Sequence, residues 1–132
     1  MKFPEWLDVA GDTSFRGKCK PEVVEQVEFF ARLRRELPEL AAIAVHPRNE
    51  GTRCGRQGHR EKLEGMMPGA ADIVIPCSPP IVIELKRRDH TQSRWQAGQL
   101  DYLAAAKAAG AIVCVALGAE AAMRFVHKIR NR

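Results

Sequence analysis

Apolar positions recur along the chain with two different periods. From Pro21 to about Leu37, Val23, Val27, Phe30, Ala31 and Leu37 come at helical spacing, with Phe29 and Leu33 widening the stripe. Pro21 suits a first helical turn, where its missing N–H costs nothing, and Glu22 suits the positive end of the helix dipole. Pro38 ends the segment. On the helical wheel Gln26 falls inside the stripe, while Glu25 and Glu28 point outward. Ala41–Val45 is a short apolar run stopped by Pro47 and predicts a strand. Two further strand-like runs, Asp72–Ile75 and Ile81–Lys86, flank Pro76-Cys77-Ser78-Pro79-Pro80, whose prolines punctuate a turn. Gln96 to Ala109 is alanine-rich and helical, and Gly110 stands at the usual C-terminal position. Ala111–Leu117 is a continuous apolar run, expected as a central strand buried on both faces. After Gly118 a last helix runs from Ala119 to about Ile129, carrying Met123, Phe125 and Val126.

The first twenty residues show no period and are expected as an arm, residues 1–20, packed on or hanging from a domain spanning 21–132. The elements come in the order α-β-β-β-α-β-α. This predicts the α/β class: a single compact domain with a small mixed β-sheet flanked by helices. Between residues 48 and 70 lie five glycines (Gly51, Gly55, Gly58, Gly65, Gly69) and five basic side chains (Arg48, Arg53, Arg56, Arg60, Lys62), with one helical turn around Arg60–Glu64. Connections of this length in a compact domain are usually functional or mobile.

Composition narrows the function classes. A length of 132 residues suits one core and excludes two independent ones. No apolar run approaches the roughly 18 residues of a membrane span, and no signal-peptide core follows Met1, so the expected compartment is the cytoplasm. The four cysteines (Cys19, Cys54, Cys77, Cys114) form no C-x-x-C pair and imply neither a disulfide framework nor a paired zinc site. A formal charge of +5 favours a polyanionic partner, though a slightly basic domain of any kind carries as much. No phosphate-binding G-x-x-x-x-G-K-[ST] loop is present, so no nucleotide cofactor is expected.

The hairpin carries the chemistry. If residues 76–80 form its loop, Ile75 pairs with Ile81, Val74 with Val82, Ile73 with Ile83 and Asp72 with Glu84. Opposed residues on antiparallel strands project from one face about 5 Å apart, and alternation puts Lys86 on that face too. Two carboxylates beside an apolar sheet repel each other and lose hydration. A divalent cation offsets both losses, and Mg²⁺ takes one or two carboxylates plus waters and phosphate oxygens. A neighbouring lysine can stabilise the charge that develops on a phosphoryl centre or help position the attacking water. Asp72, Glu84 and Lys86 therefore suit metal-assisted phosphodiester hydrolysis, whereas Glu-x-Lys alone is a common charge pattern on exposed strands. Glu22 and Gln26 either reach the metal end of the sheet, as a further ligand and an orienting amide, or Glu22 only complements the helix dipole. Gln99 either holds the nucleophilic water or a phosphate, or with Gln96 is a surface amide.

Taken together, Glu22-x-x-x-Gln26, Pro47-Arg48-Asn49-Glu50-Gly51-Thr52-Arg53, Pro68-Gly69-Ala70-Ala71-Asp72, Glu84-Leu85-Lys86 and Gln99-Leu100-Asp101-Tyr102-Leu103 resemble the VRR-NUC domain. This is the virus-type replication-repair nuclease branch of the PD-(D/E)XK superfamily, and the likeness runs from about Glu22 to Phe125 with the motifs in the family's order. The resemblance implies a restriction-endonuclease-like fold and a Mg²⁺- or Mn²⁺-dependent DNA endonuclease. Stand-alone phage and bacterial members tend to be homodimers acting on branched DNA such as four-way (Holliday) junctions. Carried over by position, Asp72 is the metal-binding Asp, Glu84 the second carboxylate and Lys86 the catalytic lysine. The Leu85 carbonyl and Glu22 are further metal ligands, Gln99 the catalytic glutamine, and Gln26 and Gln96 supporting amides. Ala71 stands where many members have Pro, a loss of rigidity and not of chemistry. The basic loop from Arg53 to Lys62 is less regular than the family pattern.

Basic stretches flank the hairpin. Arg48, Arg53, Arg56, His59, Arg60 and Lys62 with Asn49 precede it, and Arg87, Arg88, His90 and Arg94 follow, where duplex or branched DNA would place phosphates. A solvated loop is the plain alternative for either stretch. Trp95 and Tyr102 are too few for a single-strand stacking platform. A zinc site from His46, Cys54 and His59 matches no standard spacing, and Asp89, His90 and Ser93 lack a nucleophile elbow. The remaining alternatives are a non-catalytic basic nucleic-acid-binding module and an exonuclease on the same fold.

Overall fold

The computed structural model describes residues 1–47 and 55–132, with the backbone alone for 55–58. Four strands form one mixed sheet: β1 (Asp8–Ala10), β2 (Ile73–Ile75), β3 (Ile81–Lys86) and β4 (Ile112–Leu117). Their order is β1-β4-β3-β2, with β4 parallel to both β1 and β3, and β2 antiparallel to β3. The helices are α1 (Glu22–Glu36), α2 (Pro38–Ala41), α3 (Gly55–Leu63), α4 (Gln99–Ala108) and α5 (Ala119–Arg130), with a 3₁₀ turn at His90–Gln92.

The hairpin has the predicted register: Ile75 opposes Ile81, Val74 opposes Val82 and Ile73 opposes Ile83. β4 is central and buried, as its unbroken apolar run required. Strand alternation splits the core in two. Ile73, Ile75, Ile81, Ile83, Leu85, Cys114 and Ala116 point to a layer made by Phe29 and Leu33 of α1, Leu40 of α2 and Ala122, Met123 and Val126 of α5. Val82, Val113 and Val115 point the other way, onto Leu103 of α4 and Leu7 of the N-terminal segment. Full burial of each such Val, Leu or Ile contributes about 1.5–3 kcal/mol.

Several expectations are corrected. Ala41–Val45 is not a strand: Pro38 opens the short α2, which consumes its first residue, and only Val45 reaches the sheet, through a single antiparallel bridge to Val74. The helical turn expected at Arg60–Glu64 is the longer α3. Gln96 lies ahead of α4, which opens at Gln99 behind Gly98, and Pro21 is the N-cap of α1 with extended dihedrals, not a residue of its first turn. Within residues 1–20 lies β1, too short to show a period of two, which adds a parallel edge strand beside β4.

The largest correction concerns the face α1 buries. Val23 and Val27 are 69% and 66% exposed, while Glu25 is 3% exposed beside Phe29 and Leu33. The buried carboxylate has a partner across the layer, for the Ala119 N–H at the start of α5 donates to Glu25 Oε2 at 2.7 Å. α5 has no side-chain cap of its own, because residue 118 is a glycine at φ +97°, so α1 satisfies one of its orphan donors. A Cβ at Gly118 would lie 2.5 Å from the same Glu25 oxygen.

Candidate active site

The polar residues of the site enter on the α4 face of the sheet. β3 contributes Val82, Glu84 and Lys86 to that face, and Glu84 and Lys86 are each only 1% exposed. Asp72 stands one residue before β2, and its Oδ2 accepts the Leu85 N–H at 2.9 Å. Asp72 and Glu84 are near enough for a proton on Glu84 to bond them. Burial, then the Asp72 charge, then that bond push the Glu84 carboxyl up to about 10, with the Lys86 ammonium working the other way.

Lys86 and Gln99 complete the cluster. The ammonium donates to the Arg94 carbonyl at 2.8 Å and to Gln99 Oε1 at 2.9 Å, and lies 3.8 Å from Glu84 Oε1. Gln99 Nε2 donates to Glu84 Oε1 at 2.8 Å, while Gln99 Oε1 also accepts the Gln96 N–H at 2.8 Å. Two donors on one amide atom and an acceptor at the other leave a single consistent orientation for that amide. Gln99 thus joins carboxylate to ammonium. Trp95 closes the outer side, its ring 5.3 Å from Lys86 Nζ and its Nε1–H donating to the Lys2 carbonyl at 2.8 Å.

Gly69 sets the spacing between the hairpin and α4. It has φ +80°, and a Cβ there would meet the Gly98 carbonyl carbon at 2.3 Å. Two glycine backbones in contact therefore bring the segment leading to Asp72 against the start of the helix bearing Gln99.

Glu22 is placed differently. Its Oε2 accepts the Ser93 hydroxyl at 2.8 Å, and Ser93 Oγ in turn accepts the Arg87 N–H at 3.0 Å. Its charge still acts on Glu84, but among the described residues no three His, Cys, Asp or Glu side chains close round one point. Gln26 meets the site through backbone, donating to the Asp72 carbonyl at 3.2 Å. Gln96 lines a cavity of about 440 Å³ with Glu22, Arg87, Ser93 and Arg94, which opens beside the cluster. A larger groove, about 910 Å³ between β1 and α5, has none of the predicted carboxylates in its wall.

The basic residues divide three ways. Arg60, Lys62, Arg88 and Arg94 are exposed and Arg87 is half-buried. Arg88 is paired with Glu120 at 3.3 Å. Arg48, Asn49 and Arg53, with Cys54 of the discounted zinc set, lie outside the described residues, as does the side chain of Arg56. Asp89 caps the 3₁₀ turn, its carboxyl held well below the usual range by the Thr91 hydroxyl and the Gly17 N–H, so it serves the turn and not a triad. Sequence reasoning missed His46, Ser93 and Trp95 as parts of the site. Each acts through a partner distant in sequence, and no spacing signals that.

One feature bears directly on a metal. Glu84 Oε2 is buried, and among the described residues no donor reaches it. A carboxylate oxygen orphaned beside a second carboxylate has the chemistry of a hard-cation ligand, so Asp72 and Glu84 fit Mg²⁺ or Mn²⁺.

A mixed four-stranded sheet with an acidic hairpin, helices on both faces and a parallel crossover through α4 is a restriction-endonuclease-like α/β fold. A solved structure, a VRR_NUC domain protein, superposes on it with a TM-score of 0.69, covering 86% of this chain and 89% of that one at 16% identity. The chain therefore shares the fold of that VRR_NUC domain protein. No family model and no curated protein sequence matches it. No helix among the described residues is long and apolar enough to cross a membrane.

Proposed function

We propose that this domain is a metal-dependent DNA endonuclease of the VRR-NUC type, selective for branched DNA such as four-way junctions and acting as a homodimer. The observation that carries the reading is the set Asp72, Glu84, Lys86 and Gln99, in which Glu84 is buried with one oxygen that no donor among the described residues reaches. Asp72, Glu84 and the Leu85 carbonyl would hold Mg²⁺ or Mn²⁺, and Glu22 joins them by exchanging its Ser93 contact. A bound divalent ion supplies Lewis-acid polarisation of the phosphodiester and a more acidic water.

The protein's own groups do the rest. Lys86, desolvated and fixed by Arg94 and Gln99, offers positive charge to the oxygen on which negative charge develops. Gln99 keeps the Lys86 ammonium and Glu84 in one geometry, so neither reorganises during the reaction. Arg87 and Arg94, on the rim beside Gln96, take the neighbouring phosphates, and Arg60 and Lys62 extend the basic surface. Two such sites in a dimer would cut two strands symmetrically.

The test is cleavage of supercoiled plasmid and a synthetic four-way junction with Mg²⁺, Mn²⁺ or EDTA. The expected result is metal-dependent cutting with paired symmetric nicks, abolished in Glu84→Ala and reduced about 10²–10³-fold in Lys86→Ala. DNA binding without cutting under either metal overturns the reading in favour of a binding module. Release of mononucleotides from ends alone favours an exonuclease.

A further inference from the structure

We propose that His46 is a positioning residue for Asp72, a role that rests on the nuclease reading above and deepens it. Asp72 precedes the first residue of β2, so the strand ladder does not fix its carbonyl. Two side chains from elsewhere take over. His46 Nδ1 lies 2.7 Å from the Asp72 carbonyl oxygen and Gln26 Nε2 lies 3.2 Å from it. A carbonyl oxygen only accepts, so His46 presents Nδ1 in its protonated form.

The backbone aims this ring. Val45 and Val74 exchange two bonds of 2.9 Å, N–H to carbonyl in each direction. That bridge is all that remains of the strand expected at 41–45, and it sets the following residue, His46, against the residue two before Val74. Asp72 is then gripped on both sides of its Cα. Its carbonyl is held by His46 and Gln26, and its carboxylate by the Leu85 N–H at 2.9 Å. His46 gives the shorter of the two carbonyl bonds and does so from a rigid ring. Without it the Asp72 backbone can turn about the remaining longer bond and carry the carboxylate away from Glu84.

The test exploits which atom donates. Asn places its amide nitrogen where His has Nδ1, whereas Gln places it one atom further out. Mn²⁺ binding to the intact chain is measured by calorimetry, and kcat and KM on a four-way junction are measured alongside. Expected for His46→Ala is Mn²⁺ binding weaker by about 10–100-fold and a lower kcat with KM for DNA unchanged. His46→Asn restores both to within a few-fold and His46→Gln does not. Mn²⁺ affinity and kcat of His46→Ala equal to those of the parent overturn the proposal, as does equal recovery by Gln and Asn. Asp72→Asn separates the two readings. If the parent binds no Mn²⁺, or Asp72→Asn binds it as tightly as the parent, the nuclease site itself fails and His46 with it. If Asp72→Asn loses Mn²⁺ while His46→Ala keeps it, only the role of His46 falls.

Discussion

β3 shows two surfaces of opposite character on one six-residue strand. Ile81, Ile83 and Leu85 enter a continuous apolar layer under α1 and α5, where each side chain is replaceable in kind by another of similar shape. Val82, Glu84 and Lys86 face α4, where one valine is followed by two buried charged groups that bond to particular atoms of Gln99 and Arg94. The first surface stabilises the fold through area removed from water. The second loses hydration of ionisable groups and recovers part of it through hydrogen bonds, leaving one carboxyl oxygen that no donor among the described residues reaches. A strand built only for stability would carry no such oxygen, so the cost points to chemistry.

Substitutions on the two surfaces should separate stability from activity. Ile83→Ala, on the apolar side, is expected to lower unfolding free energy by about 2–5 kcal/mol, read in urea melts. Glu84→Gln, on the other side, is expected to leave stability equal or higher while cleavage disappears, because the amide keeps the shape of the protonated carboxyl and can still donate to Asp72, yet never ionises. A large destabilisation by Glu84→Gln would erase the contrast.

Glu25→Ala tests the apolar layer where it contains a charge. It leaves the Ala119 N–H buried and unpaired and should cost about 1–3 kcal/mol, with metal-dependent cutting retained in the folded fraction.

A further contrast lies in pH dependence in metal-free buffer. Glu84 holds its proton more tightly folded, with a pKa of about 10, than unfolded, at 4.5. Between those values the folded chain carries the extra proton, so stability is greatest at the acid end of the window and falls as pH rises. Glu84→Gln should flatten that slope in thermal melts from about pH 5 to about pH 9. A parent and variant with parallel profiles would show Glu84 to be ionised and well solvated.

The parts legible in the sequence are those decided by neighbours along the chain. Pro76 and Pro80 bracket the turn and unbroken β-branched runs fill 73–75 and 81–83, so the register and the approach of Asp72 to Glu84 follow. The parts that were not legible depend on distant partners. α1 offers two apolar stripes, Val23/Val27 and Phe29/Leu33, and periodicity cannot choose between them. The choice is made by α5, whose uncapped start draws Glu25 inward. Val45 lost its strand because Pro38 opens a helix just before it, leaving a single bridging pair. Glu22 acts on Glu84 through its charge, while the Ser93 hydroxyl, seventy-one residues on, holds its side chain, a contact that no spacing signals.

The pairing of Asp8 with Cys114 and of Ala10 with Ala116 has a consequence for how the molecule is made. β1 is made before the other three strands of its sheet and is docked by β4, more than a hundred residues later. Until then the nascent chain carries β1 unpaired, and a sheet that has not yet taken up β1 presents β4 as a bare apolar edge, the kind of surface on which chains stick to one another. A pairing between strands so distant in sequence slows folding. It also makes Asp8–Ala10 a seal: a chain without it would keep every proposed catalytic group and still be prone to clump.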